Sequence, residues 1–270
     1  MKNNIKKKSY LLIMLFLCCL IIATLFDLQI STALYNPKST FGWFFESFGE
    51  MIIFLIGGFS SLFLIIVKDR KKRLSTVIYG FLYLFNLLGF IMIISTHLKV
   101  SSLMLIPLVV IYLMVTILLV RAVPKENYSI TKKIAMIGLI LSLAPIFIIN
   151  IIKMIWGRPR FRSMSNPSLQ FTPWYLPQGL TTNNEFMSFP SGHAANSSTI
   201  LWITLLPYAI TSLKSIVKPI TGFAIIWFIC VMVSRIIMGA HFMSDVVIGA
   251  SITITLFLLL KRRYLKNHDI

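Results

Sequence analysis

The stretch STVIYGFLYLFNLLGFIMIIS, Ser75 to Ser95, decides the class of this protein. It runs for 21 residues without one charged side chain, and a helix needs about 20 apolar residues to cross roughly 30 Å of hydrocarbon. Lys71, Lys72 and Arg73 stand just before it, and Lys99 follows it. A lipid interior offers backbone amides no partner outside their own helix, so this run is expected to be a transmembrane helix.

Runs of the same kind recur on both sides of it. They lie near Tyr10 to Phe26, Met51 to Val67, Leu103 to Val120, Ile134 to Ile152, Ala194 to Leu213, Ile220 to Ser234 and Asp245 to Leu260, the last two slightly short. The expected fold is therefore all-α, a polytopic transmembrane helix bundle of about eight spans forming one domain over residues 1–270. Composition agrees. The chain is 57% hydrophobic and only 13% charged, against roughly 25% charged in soluble domains, and its mean hydropathy is +0.85.

A formal charge of +18 raises the question of nucleic acid. Here, however, Lys and Arg sit in short clusters between apolar runs and not along one amphipathic face, which excludes that partner class and makes the charge a topology signal. With both termini cytoplasmic, 19 of the 26 basic residues fall on the inner side. The seven left outside are Lys38, Lys99, Lys153, Arg158, Arg160, Arg162 and Arg235. The first run exceeds the usual signal-peptide core and no A-x-A site follows it, so it is expected to remain as a helix of a multi-pass cell-membrane protein. Cys18, Cys19 and Cys230 all lie in apolar runs, an odd number without a disulfide pattern. The long polar stretches Asp27 to Glu50 and Lys153 to Phe189 both fall outside, with Trp43, Trp156, Trp174 and Tyr175 suited to the headgroup region.

Three short clusters carry chemistry. IIKMIWGRPRFR places Lys153, Arg158, Arg160 and Arg162 within ten residues of one another, and one such charge costs about 2.5–3.5 kcal/mol to bury on insertion scales. An anion should compensate. In FMSFPSGHAANSS, Pro190 suits a helix start. Ser191 and Gly192 then fall in a first turn whose amides and dipole favour an oxyanion, and His193 can exchange a proton near neutral pH. In VSRIIMGAHFMSD, Arg235 precedes a glycine turn, and His241 and Asp245 stand four apart, on one face of a helix starting there. A carboxylate accepting one imidazole N–H would leave the other ring nitrogen with its lone pair.

By the topology above, all three clusters reach the outer leaflet, and together they suit phosphate. Phosphoryl transfer asks for cations and donors around the equatorial oxygens, an in-line nucleophile and a proton for the leaving oxygen. His241, its tautomer set by Asp245, would attack phosphorus, while His193 would protonate the leaving alkoxide and later activate water. One imidazole must be neutral and the other protonated, so a bell-shaped pH profile is expected.

On these residues the chain resembles the type 2 phosphatidic acid phosphatase (PAP2) superfamily, whose motifs are K-x6-R-P, P-S-G-H and S-R-x5-H-x3-D. Lys153 to Arg160 has the first spacing, Pro190 to His193 matches the second, and Ser234, Arg235, His241 and Asp245 match the third. The match is strong over residues 153–245. The resemblance implies a metal-independent phosphatase without cofactor and with a phosphohistidine intermediate. Lys153, Arg160, Arg235, Ser191 and Gly192 would grip phosphate, with His193 as acid and base and His241 as nucleophile. Phe161 replaces the proline of the first motif and an Arg-Pro pair occurs at Arg158 and Pro159, so Arg158 and Arg160 both stand as candidates for the main contact. The family core has six spans, which makes two of the eight additional.

Two rival readings are weaker. Zn²⁺ or Mg²⁺ could use two His and one Asp, but phosphate-processing metal pairs usually take several carboxylates, and only Asp245 belongs to a compact motif. An anionic-lipid transporter would place its charges near the midplane and has no use for a nucleophile held by a carboxylate. A site at the outer leaflet suits a lipid phosphate or diphosphate, such as undecaprenyl diphosphate, phosphatidic acid or phosphatidylglycerol phosphate; a soluble ester is the alternative. The loop FTPWYLPQG, Phe171 to Gly179, is expected to form a lid or an interfacial anchor.

Overall fold

The computed structural model describes residues 2–67, 73–98 and 104–266. Among them every regular element is helical: α1 (Lys2–Leu34), α2 (Thr40–Phe48), α3 (Met51–Val67), α4 (Arg73–Leu98), α5 (Leu105–Arg121), α6 (Tyr128–Trp156), α7 (Pro167–Gln170), α8 (Gly192–Ser198), α9 (Leu206–Ala209), α10 (Val217–Ile237) and α11 (Met243–Leu265), with short 3₁₀ turns between some of them. Six segments among the described residues are long and apolar enough to cross a membrane: Ile13–Leu34, Thr40–Val67, Arg73–Leu98, Lys125–Ser163, Thr211–Ile237 and Met243–Leu265. Of the expected basic clusters, Lys68, Arg70, Lys71, Lys72 and Lys99 lie outside the described residues.

Two expectations about the spans are corrected. Within the run Leu103 to Val120, whose first residue lies outside the described ones, stands α5, at 17 residues shorter than the six. The run Ala194 to Leu213 is not one helix but α8, a 3₁₀ stretch Thr199–Leu205, α9 and the start of a 3₁₀ stretch Thr211–Ile216. Its side chains account for this: Thr199 Oγ1 donates to the Asn196 carbonyl and Thr204 Oγ1 to that of Leu201, both at 2.6 Å. Such bonds to the third preceding carbonyl compete with the regular ladder, and Pro207 removes a donor. Finally, α1 does not stop at Phe26, and Asp27, expected in an outer loop, is a helical residue only 2% exposed.

The chain divides into two compact units. One comprises residues 47–146, 196–229 and 253–270 and is the larger apolar assembly. Its core gathers Phe59, Phe63, Ile134, Trp202 and Phe257, with a second cluster of Ile53, Phe54, Phe90, Ile94 and Tyr112. Close approach of α3, α4 and α5 rests on Gly57 and Gly58, where a Cβ would lie 2.0 Å from Asn86 Oδ1 and from Tyr112 Oη respectively. Small residues of this kind let membrane helices pack backbone to side chain.

The other unit comprises residues 1–46, 147–195 and 230–252 and brings together the ends of four helices, α6, α8, α10 and α11, with α1 and most of α2. Helix α6 ends at Gly157, whose φ of 64° is the left-handed value that glycine takes without strain. Orphan carbonyls of its last turn are taken by the following loop: Gln178 N donates to Trp156 O at 2.7 Å and Thr181 N to Met154 O at 2.9 Å. A Cβ on Gly157 would sit 2.4 Å from the Gly179 carbonyl oxygen. Gly157→Ala should therefore cost about 1–2 kcal/mol for the left-handed backbone alone, with the steric displacement of Gly179 added. The check is a lowered thermal unfolding midpoint in detergent; an unchanged midpoint would contradict this account of the turn.

Candidate active site

All nine residues singled out by the sequence motifs belong to the second of these units. Lys153 stands in the last turn of α6. Beyond Gly157 the chain pairs with the segment that leads into α8, Arg160 N donating to Glu185 O (2.8 Å) and Ser188 N to Arg158 O (3.0 Å). This pairing delivers Ser191, Gly192 and His193 beside the end of α6. The ammonium of Lys153 lies 3.7 Å from where a Cβ on Gly192 would be.

Ser191 caps α8: its Oγ accepts the Ala194 N–H at 3.3 Å, leaving its own hydrogen for another acceptor. The first-turn amides of α8, Gly192 and His193 among them, have no carbonyl of their own helix to bond. Helix α11 presses directly on this turn. Ser191 N donates to Asp245 O at 2.9 Å, and a Cβ on Gly249 would come within 2.4 Å of the Ser191 carbonyl.

The assignment of Asp245 as the direct partner of His241 is corrected. Nδ1–H of His241 donates to the backbone carbonyl of Ser188 at 2.6 Å, while Asp245 Oδ2 stands 3.9 Å from that nitrogen, beyond hydrogen-bond reach. The result is the same tautomer, with the Nε2 lone pair available. Asp245 acts one step back. Its carboxylate accepts Ser188 Oγ–H (2.6 Å), the Phe242 amide at the start of α11 (2.9 Å) and Arg158 Nη1–H (2.5 Å), fixing the residue whose carbonyl holds the imidazole.

Arg158 proves to be the hub of this arrangement. Fully buried, it donates Nη1–H to Asp245 and Ser244 Oγ (2.8 Å), Nη2–H to Asp27 Oδ2 (3.1 Å) and Nε–H to the Thr172 carbonyl (2.9 Å), and the Phe242 ring lies 4.2 Å from its central carbon. Its guanidinium is committed to the protein. Asp27 in turn accepts the Ser244 amide at 2.8 Å and the Ser244 hydroxyl, so α1 caps the first turn of α11. Arg160 is held along one edge by Asn184, through the backbone carbonyl and Oδ1, each at 2.9 Å. Arg235, 1% exposed, has its Nη1 2.9 Å from Glu46 Oε1.

Electrostatics tie the clusters together. His193 keeps some accessible surface, yet its imidazole is held well below the ordinary 6.5, first by loss of water and then by Arg235, His241, Lys153 and Arg160. His241 is likewise lowered by burial, with the Asp245 carboxylate opposing and Lys153 and Arg160 adding to the shift. Each imidazole thus feels the same lysine and arginine, and both are neutral at neutral pH while no anion is bound. Among the described residues, no three His, Cys, Asp or Glu side chains gather as a metal-ligand set.

Sequence reasoning missed Asp27, Glu46, Asn184, Ser188 and Ser244. A signal existed for Asp27, an acid abutting a long apolar run, where an unpaired charge is costly. The loop expected as a lid or anchor makes structural contacts: Thr172 O holds Arg158, Trp174 O accepts Trp156 Nε1–H (2.7 Å), and Trp174 Nε1–H donates to Thr24 of α1 (2.9 Å).

The family model of the PAP2 superfamily matches residues 133–269, just over half of the chain and every motif residue discussed above. Neither a curated protein nor a solved structure matches it.

Removing Arg158 would leave two buried carboxylates uncompensated, so Arg158→Ala should lower stability by about 3–5 kcal/mol. Arg158→Lys should restore only part, since one ammonium cannot serve Asp27, Asp245, Ser244 and Thr172 together. Thermal unfolding in detergent is the measurement. A fully stable Arg158→Ala protein with weakened phosphate binding would instead make Arg158 a ligand contact.

Proposed function

The chain belongs to the PAP2 superfamily, and we propose that it is a metal-independent membrane phosphatase acting on a lipid phosphate or diphosphate at the extracytoplasmic face. The observation that carries this reading is the convergence of His193 and His241 with Lys153, Arg160 and Arg235 around one helix start. Three cations and the first-turn amides of α8 match the equatorial oxygens of a phosphoryl group. Arg160, at the K-x6-R position, takes the phosphate role, and Arg158 the role of holding Asp245.

The steps follow from the two imidazoles. His241 Nε2 attacks phosphorus and the bond to the ester oxygen breaks, that oxygen taking a proton from His193. A water then gives its proton to His193 as its oxygen attacks the phosphoimidazole, which returns His241 neutral and releases phosphate. His193 is neutral in the empty site, so its proton must be gained as the dianion enters and offsets Lys153, Arg160 and Arg235. Substrate binding is thus coupled to proton uptake.

The lipid assignment rests on placement. Six long apolar segments are present among the described residues, and the distribution of basic residues, read with α5 and the broken segment 194–213 counted as crossings, favours both termini in the cytoplasm and the motif-bearing loops outside. Undecaprenyl diphosphate, phosphatidic acid and phosphatidylglycerol phosphate all present the required anion beside acyl or prenyl chains that stay in the bilayer.

Purified protein should release orthophosphate from at least one of these lipids in detergent with EDTA present throughout. His193→Ala and His241→Ala should each reduce that rate by at least about 10²–10⁴-fold. Release from no phosphate ester would overturn the reading. A depressed imidazole pKa means the neutral form persists to lower pH and is lost only as pH falls through the lowered value. Inactivation by diethyl pyrocarbonate, which modifies neutral imidazole, should accordingly be half-maximal below pH 6.5; a midpoint at or above that value would contradict the electrostatics.

A further inference from the structure

Helix α2 brings a carboxylate to the same arginine that the phosphate requires. Glu46 Oε1 lies 2.9 Å from Arg235 Nη1, and the pair is asymmetric in access, with the arginine side chain 1% and the glutamate side chain 17% exposed. Its placement is built in. Asn36 N donates to the Ile237 carbonyl at 2.8 Å, tying the turn before α2 to the end of α10. One helical turn before Glu46, a Cβ on Gly42 would lie 2.6 Å from Met238 Sδ, so α2 packs closely against the end of α10 at this point. Gly42 and Glu46 share a face of α2, as residues four apart do on any helix.

Arg235 is also, after burial, the largest influence lowering the His193 pKa, which places its charge beside the proton donor. A phosphoryl group flanked by His193 and His241 must therefore share this guanidinium with Glu46 or take it over. Two anions close to one cation repel each other, and the partly exposed glutamate is the one with somewhere to go. In the empty site its presence spares Arg235 from being a buried charge without a carboxylate. Glu46 lies outside the family-matched residues 133–269, so this contact belongs to the N-terminal part of the chain.

We infer that Glu46 is an internal competitor for the phosphate site, holding Arg235 until a substrate phosphoryl group displaces it and reclaiming the arginine as product leaves. This rests on the phosphatase reading above. The competition weakens every phosphate, but its consequence differs between substrate and product. A lipid ester is retained by its chains in the bilayer, whereas free orthophosphate has only the cations to hold it. Glu46 is thus a positioning residue that favours product release and keeps product inhibition weak.

The test is calorimetric titration of orthophosphate into wild type and Glu46→Gln in detergent, alongside inhibition of lipid-ester hydrolysis by orthophosphate. Gln keeps the length and shape of the side chain and removes only the charge that pairs with Arg235, so Glu46→Gln should bind orthophosphate about tenfold more tightly, with a matching fall in its inhibition constant. A merely structural role predicts the opposite, weaker binding with a lower unfolding midpoint. Should Glu46→Gln fail to fold, Glu46→Asp, which keeps the charge and shortens the side chain, should tighten binding in the same direction by less. Equal or weaker orthophosphate binding in the folded variant overturns the role of Glu46 alone. Absence of binding in wild type and variant, with no release from any ester, overturns the phosphatase reading and this role with it.

Discussion

One buried guanidinium organises the site. Arg158 joins a helix near the N-terminus of the chain, through Asp27, to the start of α11, through Asp245 and Ser244, and to the carbonyl of a loop residue, Thr172. Burying three charges is worthwhile only when each finds partners of good geometry, because the desolvation of an ion is of the same order as its attraction to a partner. Here the bonds are short and several, and both carboxylates also accept backbone amides. The chain of consequence then runs outward from Asp245 to Ser188, and from the Ser188 carbonyl to His241 Nδ1. What reaches the His241 imidazole is orientation transmitted through a backbone carbonyl, not a carboxylate in direct contact.

A cluster of buried cations needs balance from within the protein. Lys153, Arg160 and Arg235 all act on His193, and a pocket of unbalanced positive charge would resist burial. Balance comes partly from elsewhere in the chain: Asp27 and Glu46, both outside the family-matched residues, each pair with a buried arginine. The family motifs and their counter-charges thus come from different parts of the sequence. Such an arrangement lets the cation cluster persist in the folded chain.

Helix termini supply the remaining geometry. The end of α6, the start of α8, the end of α10 and the start of α11 lie within one compact unit, so amides, cations and imidazoles converge where regular hydrogen bonding stops and groups become available to a ligand. Tight contacts at Gly157 and Gly249 hold these ends together, because backbone meets backbone where a side chain would intervene. The two histidines are held toward the neutral form by burial and by the cations around them.

Much of this was legible in the amino-acid sequence. Runs such as Ser75 to Ser95 announce membrane helices because a lipid interior permits little else, and the spacing of Lys153 with Arg160, of Pro190 to His193, and of Arg235, His241 and Asp245 names the chemistry through residue type and local periodicity. Local pattern failed where competition decided the outcome, as in the segment after Ala195, whose hydroxyl side chains and Pro207 break an apolar run into short helical pieces. The identity of each charge's partner was beyond sequence reading altogether. Arg158 meets Asp27 across 131 residues, and Ser244 meets the same carboxylate across 217. Spacing carries information only within the reach of a helix turn, so it cannot name the partners of two arginines that stand two residues apart. Only the packed chain supplied those partners, giving Arg158 to Asp27 and Asp245, setting Arg160 along Asn184 and pairing Arg235 with Glu46, because hydrogen-bond geometry and burial are settled by which segments touch.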